Sequence, residues 1–393
     1  MKARQIRDGV HWMGAIDWDR RLFDGLIPLP DGTSYNAYLV QGTEKTVLLD
    51  TVDPSMVDFL LDQLRDVPEL DYVISHHAEQ DHSGALPSVL ERYPKAKVIA
   101  NPQGKGLLTD HLHIPEDKFT TVKNGETLSL GGKTLEFIYT PWVHWPETMS
   151  TYLKEDKILF SCDFFGSHLA TTGLYAGDDP GVVEAAKRYY AEIMMPFRRL
   201  IQKNLDKVEE RDIDLIAPSH GPIYDKPAVI VDAYRDWSSE GLRNEVVLPF
   251  VSMHGSTKKM VDHLTGALGG NGVTVHRFDM AAADVGKLAI ALVDAASVVF
   301  ATPTVLVGPH PLVLYAAHLA NALRPKLKHA CVIGSYGWGG KSVESIAGAV
   351  SALKVEMLEP VLCMGLPKQG DLEALDKLAA DLVERHKKLG LFL

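Results

Sequence analysis

An apolar, β-prone run, Leu70-Asp71-Tyr72-Val73-Ile74, opens directly into Ser75-His76-His77-Ala78-Glu79-Gln80-Asp81-His82-Ser83-Gly84. Five imidazole or carboxylate side chains thus fall within seven residues. Read as a strand running into a loop, the stretch places His77, Glu79, Asp81 and His82 in one turn of irregular backbone at a strand's end. α/β proteins gather ligands there, because loops can converge on a point while the sheet holds them rigid. Neutral imidazole and ionised carboxylate suit divalent first-row metals, and the absence of thiols argues against a structural zinc knuckle. The plain alternative for any one of these residues is a solvated polar loop.

The rest of the first half supplies matching groups. Asn36–Val40 and Lys45–Thr51 read as an early strand pair closed at Gly42-Thr43-Glu44, and Met56, Phe59, Leu60 and Leu64 carry helical spacing. Lys97–Ala100 is a further strand. Lys133–Tyr139 runs into Thr140-Pro141-Trp142-Val143-His144-Trp145-Pro146, Lys157–Cys162 ends on Asp163, and Asp214–Ser219 ends on His220-Gly221. A lone histidine after a strand is usually a hydrogen-bonded loop residue. Four strand ends with ligand-type residues, beside Gly84, Pro146, Gly166 and Gly221, are harder to dismiss. Together they offer two sets of N/O ligands and one spare carboxylate, as a two-metal site requires. Asp163 is the natural bridge, since a carboxylate can give one oxygen to each ion.

The order HxExDH, His, Asp, His resembles the metallo-β-lactamase fold, an αββα sandwich with its site at one edge. The hydrolytic zinc branch carries HxHxDH, whereas the second position here is Glu79. With His144-Trp145-Pro146 and the long insert between Asp163 and His220, the chain is similar to the flavodiiron (A-type flavoprotein) branch. An anionic carboxylate in place of an imidazole makes a harder site, which favours iron in higher oxidation states over zinc.

Sequence character changes near residue 245, after a helix-and-linker stretch over Tyr224–Arg243. From Glu245 onward five β-runs alternate with helical patterns: Val246–Val251, Val273–Phe278, Ser297–Ala301, Ala330–Ile333 and Pro360–Cys363. That alternation predicts a doubly wound parallel sheet. The predicted division is therefore 1–244 and 245–393. The first run ends in Ser252-Met253-His254-Gly255-Ser256-Thr257 and a helix begins at Lys258. A hydroxyl- and glycine-rich turn at a helix N-terminus suits a phosphate. The third run ends in Thr302-Pro303-Thr304, and the fourth in Gly334 followed by Ser335-Tyr336-Gly337-Trp338-Gly339-Gly340. Such strand ends can cradle an FMN phosphate and flank its ring, and the set resembles short-chain flavodoxin. Tyr336 and Trp338 are alternatively core aromatics. Gly340-Lys341-Ser342 imitates a P-loop end but follows the fourth strand and lacks the first glycine, where Ser335 stands.

Bulk properties narrow the class. With 393 residues, 46% hydrophobic and 23% charged, the chain can build more than one core. A formal charge of −11 speaks against nucleic acid as a partner, and no apolar run approaches a membrane span. The three cysteines, Cys162, Cys331 and Cys363, form no CxxC pair, which points to a reducing cytoplasm and excludes an appended rubredoxin-type or zinc-ribbon module.

The family resemblance implies FMN and two iron ions per chain. It assigns one iron to His77, Glu79 and His144 and the other to Asp81 and His220, with Asp163 bridging. His82 matches a position that ligates in some members and swings away in others, and His254 stands where a tyrosine is common. The implied reaction is four-electron reduction of dioxygen to water, two-electron reduction of nitric oxide to nitrous oxide, or both. The implied donor is a small rubredoxin or a reduced deazaflavin, and the implied assembly a head-to-tail homodimer or a dimer of dimers. The competing readings are a zinc-dependent hydrolase with a fused regulatory flavodoxin domain and an electron-transfer flavoprotein with an inactive metal domain.

Overall fold

The computed structural model describes residues 2–392. It contains two compact units, one formed by the residues up to Tyr190 with Phe197–Ser238, the other by Ala191–Pro196 with the residues from Ser239 onward.

The first unit is built on two sheets. Its seven-stranded sheet runs in chain order: β1 (Arg4–Arg7), β2 (Val10–Trp12), β3 (Tyr38–Gln41), β4 (Thr46–Leu49), β5 (Tyr72–Ile74), β6 (Lys97–Ala100) and β7 (Phe119–Thr121). Pairing is antiparallel as far as β4 and parallel from β4 to β7. Side-chain alternation decides what each face covers. Leu48, Val73 and Val98 stand in register and pack on Leu60, Leu64, Leu86 and Val89. Those four come from α1 (Val57–Gln63), α3 (Leu86–Arg92) and the residue after α1. One residue along each strand, Leu49, Ile74 and Ile99 face the second sheet and meet Leu135, Phe137, Leu153, Phe160 and Ala217. That sheet is β8 (Thr127–Ser129), β9 (Thr134–Tyr139), β10 (Met149–Leu153), β11 (Ile158–Cys162) and β12 (Leu215–Pro218), with only β11–β12 parallel.

Several expected boundaries move. The strand expected over Asn36–Val40 begins at Tyr38, and the one expected over Lys45–Thr51 stops at Leu49, because Asp50 turns at φ 55°. Phe59, expected on the apolar stripe of the first helix, is exposed, while Leu60 and Leu64 are buried. Within the His/carboxylate cluster, Gln80–Ser83 forms a helical turn, α2, where irregular loop was expected.

The second unit is a parallel sheet. β13 (Arg243–Phe250), β14 (Thr274–Asp279), β15 (Ala295–Val305), β16 (His329–Tyr336) and β17 (Val361–Met364) lie in the order β14-β13-β15-β16, with β17 against β16. This is the flavodoxin-like doubly wound order. Val246, Leu248, Val299 and Ile333 cover one face together with α8 (Ser256–Gly270) and α12 (Gln369–Lys388), through Met260, Leu264, Leu375 and Leu382. Thr302-Pro303-Thr304 and Ser335-Tyr336, expected beyond strand ends, lie inside β15 and β16. The extension has a local cause: β15 folds back through Leu306 and Val307, and Thr304 and Val305 pair with Pro309 and Gly308. Among the described residues no helix is long and apolar enough to cross a membrane.

Candidate metal centre

The cluster after β5 is held from behind before any ligand is considered. The carboxylate of Asp50 accepts the His76 backbone N–H at 2.8 Å and His76 Nδ1–H at 2.7 Å. His76 Nε2 meets Thr151 Oγ1 at 2.7 Å. His76 is therefore satisfied on both ring nitrogens, and its neighbour His77 is left to face the opposite way. Thr51 donates from its backbone N and its hydroxyl to His82 O, at 2.8 and 2.6 Å, fixing the far end of the turn. Ser83 Oγ donates to Ala78 O and Glu79 O.

The other groups arrive on the second sheet. Asp163 follows β11 in a tight turn, where Cys162 has φ 55° and Gly166 N donates to Asp163 O at 2.9 Å. His220 follows β12. Its Nδ1–H donates to Ser34 O at 2.7 Å, while Asn36 Nδ2 donates to Pro218 O and Gly221 O at 2.8 and 2.7 Å. These bonds fix the ring so that Nε2 points inward. His144 lies on the loop between β9 and β10, where Trp142 N donates to Trp145 O at 2.6 Å.

Two groups result, sharing one carboxylate. His77, Glu79, His144 and Asp163 have ligand atoms within 4.8 Å of one another, and so do Asp81, His82 and His220. Glu79 Oε2 lies 3.1 Å from His77 Nε2 and 3.0 Å from His144 Nε2, and Asp163 Oδ2 is 3.5 Å from both nitrogens. The other oxygen, Asp163 Oδ1, lies 2.9 Å from His82 Nε2 and 3.5 Å from His220 Nε2. Asp81 Oδ2 is 3.1 Å from His220 Nε2 and 3.3 Å from His82 Nε2. Asp163 thus turns one oxygen to each group, and all seven residues singled out in the sequence converge here.

The chemistry of this set fits two cations. Both oxygens of Asp81 and of Asp163, and both ring nitrogens of His82, are buried with no hydrogen-bond partner among the described residues. Atoms left so would carry a large desolvation cost unless something positive joined them. The charge balance agrees. Burial alone would lower the His77 imidazole, but Glu147 and Glu79 hold it well above its usual value. Burial is likewise outweighed at His82, pushed up to about 10 by Asp81 and Asp163. Against their own burial, Asp163 and Glu79 are held below the usual carboxylate range, Asp163 by His82 and Glu79 by His144 and His77. These carboxylates favour protons on His77 and His82, and a divalent ion binding there would displace them. Asp24, on the hairpin of Leu22–Phe23 and Ile27–Pro28, is pushed up to about 6 by burial and by Glu79 and Asp81.

Sequence reading missed Glu147, Asp50 and the Ser34–Asn36 clamp. Glu147 Oε1 accepts His77 Nδ1–H at 2.8 Å and Ala78 N–H at 3.0 Å. Asp50 closes an apolar run much as Asp163 does, so the signal that found the one was present for the other. Glu147 had no such signal, being one acidic residue in an irregular loop.

In the second unit, Ser252-Met253-His254-Gly255 lead into α8, with Gly255 at φ 88° as its first flanking residue. Ser252 Oγ accepts Gly255 N–H and Lys258 N–H at 3.2 and 3.1 Å. Thr257 Oγ1 lies 3.3 Å from Ser335 Oγ, tying the first loop to the fourth strand. Added Cβ atoms at Gly255, Gly337 and Gly339 would meet nothing within 4 Å, so these glycines border open space, as a cradle for a flat cofactor needs. Gly340 differs, since a Cβ there would meet Thr304 Cγ2 at 2.6 Å; its smallness serves packing. Thr302 is also spoken for, its hydroxyl donating to Pro303 O and accepting His310 N–H, both at 2.8 Å. Trp338 and Met253 are exposed, so Trp338 is not a core aromatic.

Residues 33–221 match the family described as ODP family beta lactamase. Over 391 residues the chain is 35% identical to a nitric oxide reductase of Moorella thermoacetica, covering 97% of this chain and 98% of that one. The structure of rubredoxin oxygen:oxidoreductase from Desulfovibrio gigas matches with a TM-score of 0.94 at 32% identity, over 98% of this chain and 99% of that one. The flavodiiron protein of Giardia intestinalis matches with a TM-score of 0.92 at 27% identity, over 98% and 97% of the two chains. Likeness on this scale, spanning the metal-ligand unit and the parallel-sheet unit alike, makes the chain a member of the flavodiiron protein family.

Proposed function

We propose that this protein reduces dioxygen to water and nitric oxide to nitrous oxide at a pair of irons supplied with electrons by FMN. The observation that carries the reading is the shared carboxylate: Asp163 offers one oxygen to His77, Glu79 and His144 and the other to Asp81, His82 and His220. Two ferrous ions and reduced FMN together hold the four electrons that turn one dioxygen into two waters, and nitric oxide coupling needs two of them.

The chain's own residues supply position and access. Glu147 and Ser34 aim His77 and His220 inward by their Nδ1 hydrogen bonds, so neither ligand must reorganise when metal enters. Asp163, Asp81 and His82 are buried, whereas Glu79 and His144 keep side-chain exposures of 15% and 16%, which makes their side the entry for a small gas. In the second unit, the α8 N-terminus and the hydroxyls of Ser252, Ser256 and Thr257 take the FMN phosphate. The 335–340 loop, with Tyr336 and Trp338, flanks its ring. The working division is 1–244 for iron and 245–393 for FMN.

The donor in this reading is a small redox protein such as rubredoxin, the partner named in the relative of Megalodesulfovibrio gigas, or a reduced deazaflavin. Two chains pair head to tail in the cytoplasm, one chain's flavin serving the other's irons. Elemental and flavin analysis tests the core of this: about two irons and one FMN per chain are expected, with gas consumption under a defined donor. Zinc without flavin would replace this reading with a metal-dependent hydrolase.

A further inference from the structure

We propose that Glu147 makes the two iron positions unequal, holding His77 as a ligand of raised basicity so that the iron of the His77–Glu79–His144 group is oxidised first. The proposal rests on the two-iron reading above. Glu147 is a positioning residue: it touches His77, not the metal or the gas.

The buried imidazoles of the two groups differ in what stands behind them. His77 Nδ1–H donates to a carboxylate, Glu147 Oε1, at 2.8 Å. His220 Nδ1–H donates to an uncharged carbonyl, Ser34 O, at 2.7 Å. His82 Nδ1 has no hydrogen-bond partner among the described residues. A carboxylate on the far nitrogen draws that proton toward itself, pushes electron density to Nε2 and raises the basicity of the ligand. A more basic ligand favours the ferric over the ferrous ion.

Glu147 is built in rather than incidental. It is 2% exposed and His77 1%. The same Oε1 accepts Ala78 N–H at 3.0 Å, and Asn101 Nδ2 donates to Glu147 O while Asn101 Oδ1 caps α4 (Pro102–Leu112) through Gly104 N at 2.7 Å. The His77 ring and the Ala78 backbone both meet this carboxylate with N–H groups, and its Oε2 is buried with no hydrogen-bond partner among the described residues. At low local dielectric a charge so placed acts strongly on its neighbourhood. Counting carboxylates, the His77 side has Glu79, Glu147 and a share of Asp163, and the His220 side has Asp81 and a share of Asp163. The difference is one negative charge, and it falls on the side open to the gas. Each iron loses one electron on going from ferrous to ferric, so unequal sites pass through a state with one of each.

The test uses the iron- and FMN-loaded full chain, poised stepwise with dithionite as reductant and ferricyanide as oxidant, and followed by electron paramagnetic resonance and Mössbauer spectroscopy. Wild type is expected to show a mixed-valence signal over a range of potentials. In Glu147→Gln, which keeps an acceptor oxygen and removes the charge, the first iron couple should rise and the mixed-valence range narrow, with the FMN couples unmoved. Weaker iron binding, by about 10–100-fold, is expected in the same variant. Glu147→Asp keeps the charge and should restore iron content and the separation of the couples. Iron couples unchanged in Glu147→Gln overturn the proposal. If that variant loses its iron, Glu147→Asp decides: restored separation supports the proposal, and bound iron without separation overturns it. A wild-type protein without iron sinks the two-iron reading itself, an outcome distinct from unmoved couples.

Discussion

Asp163 and His82 approach each other to 2.9 Å, yet they stand to the site in different ways. Asp163 gives an oxygen to each group, whereas His82 stands with Asp81 and His220 and not with His77, Glu79 and His144. Asp163→Ala should therefore cost both irons much of their hold, with iron content falling by about half or more and gas reduction lost. His82→Ala, which touches neither Glu79 nor His144, should leave the His77 group filled. Iron analysis and gas uptake on the two purified variants check the order, and equal iron retention would mean that Asp163 is not the bridge. The reason Asp163 was legible and Glu147 was not is chemical grammar at the strand end. Asp163 closes a fully buried, mostly apolar run, Ile158-Leu159-Phe160-Ser161-Cys162, where a carboxylate has no packing reason to be. Glu147 sits three residues after His144 in a loop whose course is set by tertiary hydrogen bonds such as Met149 N to His76 O at 3.0 Å, and one sequence carries no trace of those.

At the scale of elements, legibility followed periodicity. β5, β6, β11 and β12 are short apolar runs with turn residues behind them, and each lies where its run predicted. β10 went unread because all five of its residues are buried and two are hydroxylic, Ser150 and Thr151, so neither alternation nor an apolar run marks it. Its polarity has a use, since Thr151 satisfies His76. α12 carries a comparable buried polar group that yields a pH prediction. His386 Nδ1 lies 2.8 Å from Asn244 Oδ1 and its Nε2 2.7 Å from Ser297 Oγ, and neither partner carries a negative charge that would balance a protonated ring. Burial, and then the charge of His329, push it down to about 4. An unfolded histidine takes its proton near 6.5. Between about 6.5 and about 4 the unfolded chain therefore binds more protons than the folded one, and this group's contribution to stability is lost as pH falls through that window. Thermal melts at pH 7 and pH 5 should show a drop in midpoint on acidification that is smaller in His386→Gln. An equal drop in both would remove His386 from the account.

For the molecule as a whole, the question is how electrons pass from flavin to iron. The order of the chain was readable because each half repeats its own signal: ligand-type residues after four strand ends, then five β-runs alternating with helical patterns. The partnership proposed between chains would leave no such signal, because a head-to-tail contact would join surfaces that are remote in sequence. With no paired cysteines to serve as a further redox centre, the proposed route runs from the flavin of one chain to the irons of the other. Two single variants separate that route from one within a chain. Asp163→Ala disables the iron pair and leaves the FMN loops untouched. Ser256→Glu places a carboxylate at the start of α8, where the FMN phosphate is proposed to sit. An acidic residue at a helix N-terminus favours the fold while repelling a second anion. Each variant alone should be inactive. In a mixed dimer, one flavin–iron pairing joins the intact FMN of the first chain to the intact irons of the second, and the other pairing is dead on both sides. About half of the wild-type activity per dimer should return, because a two-fold dimer has two such pairings. Differently tagged chains confirm that mixing has occurred, and cofactor analysis confirms what each retains. Verified mixed dimers that stay inactive would place the transfer within one chain, since neither chain of the mixture then holds both cofactors.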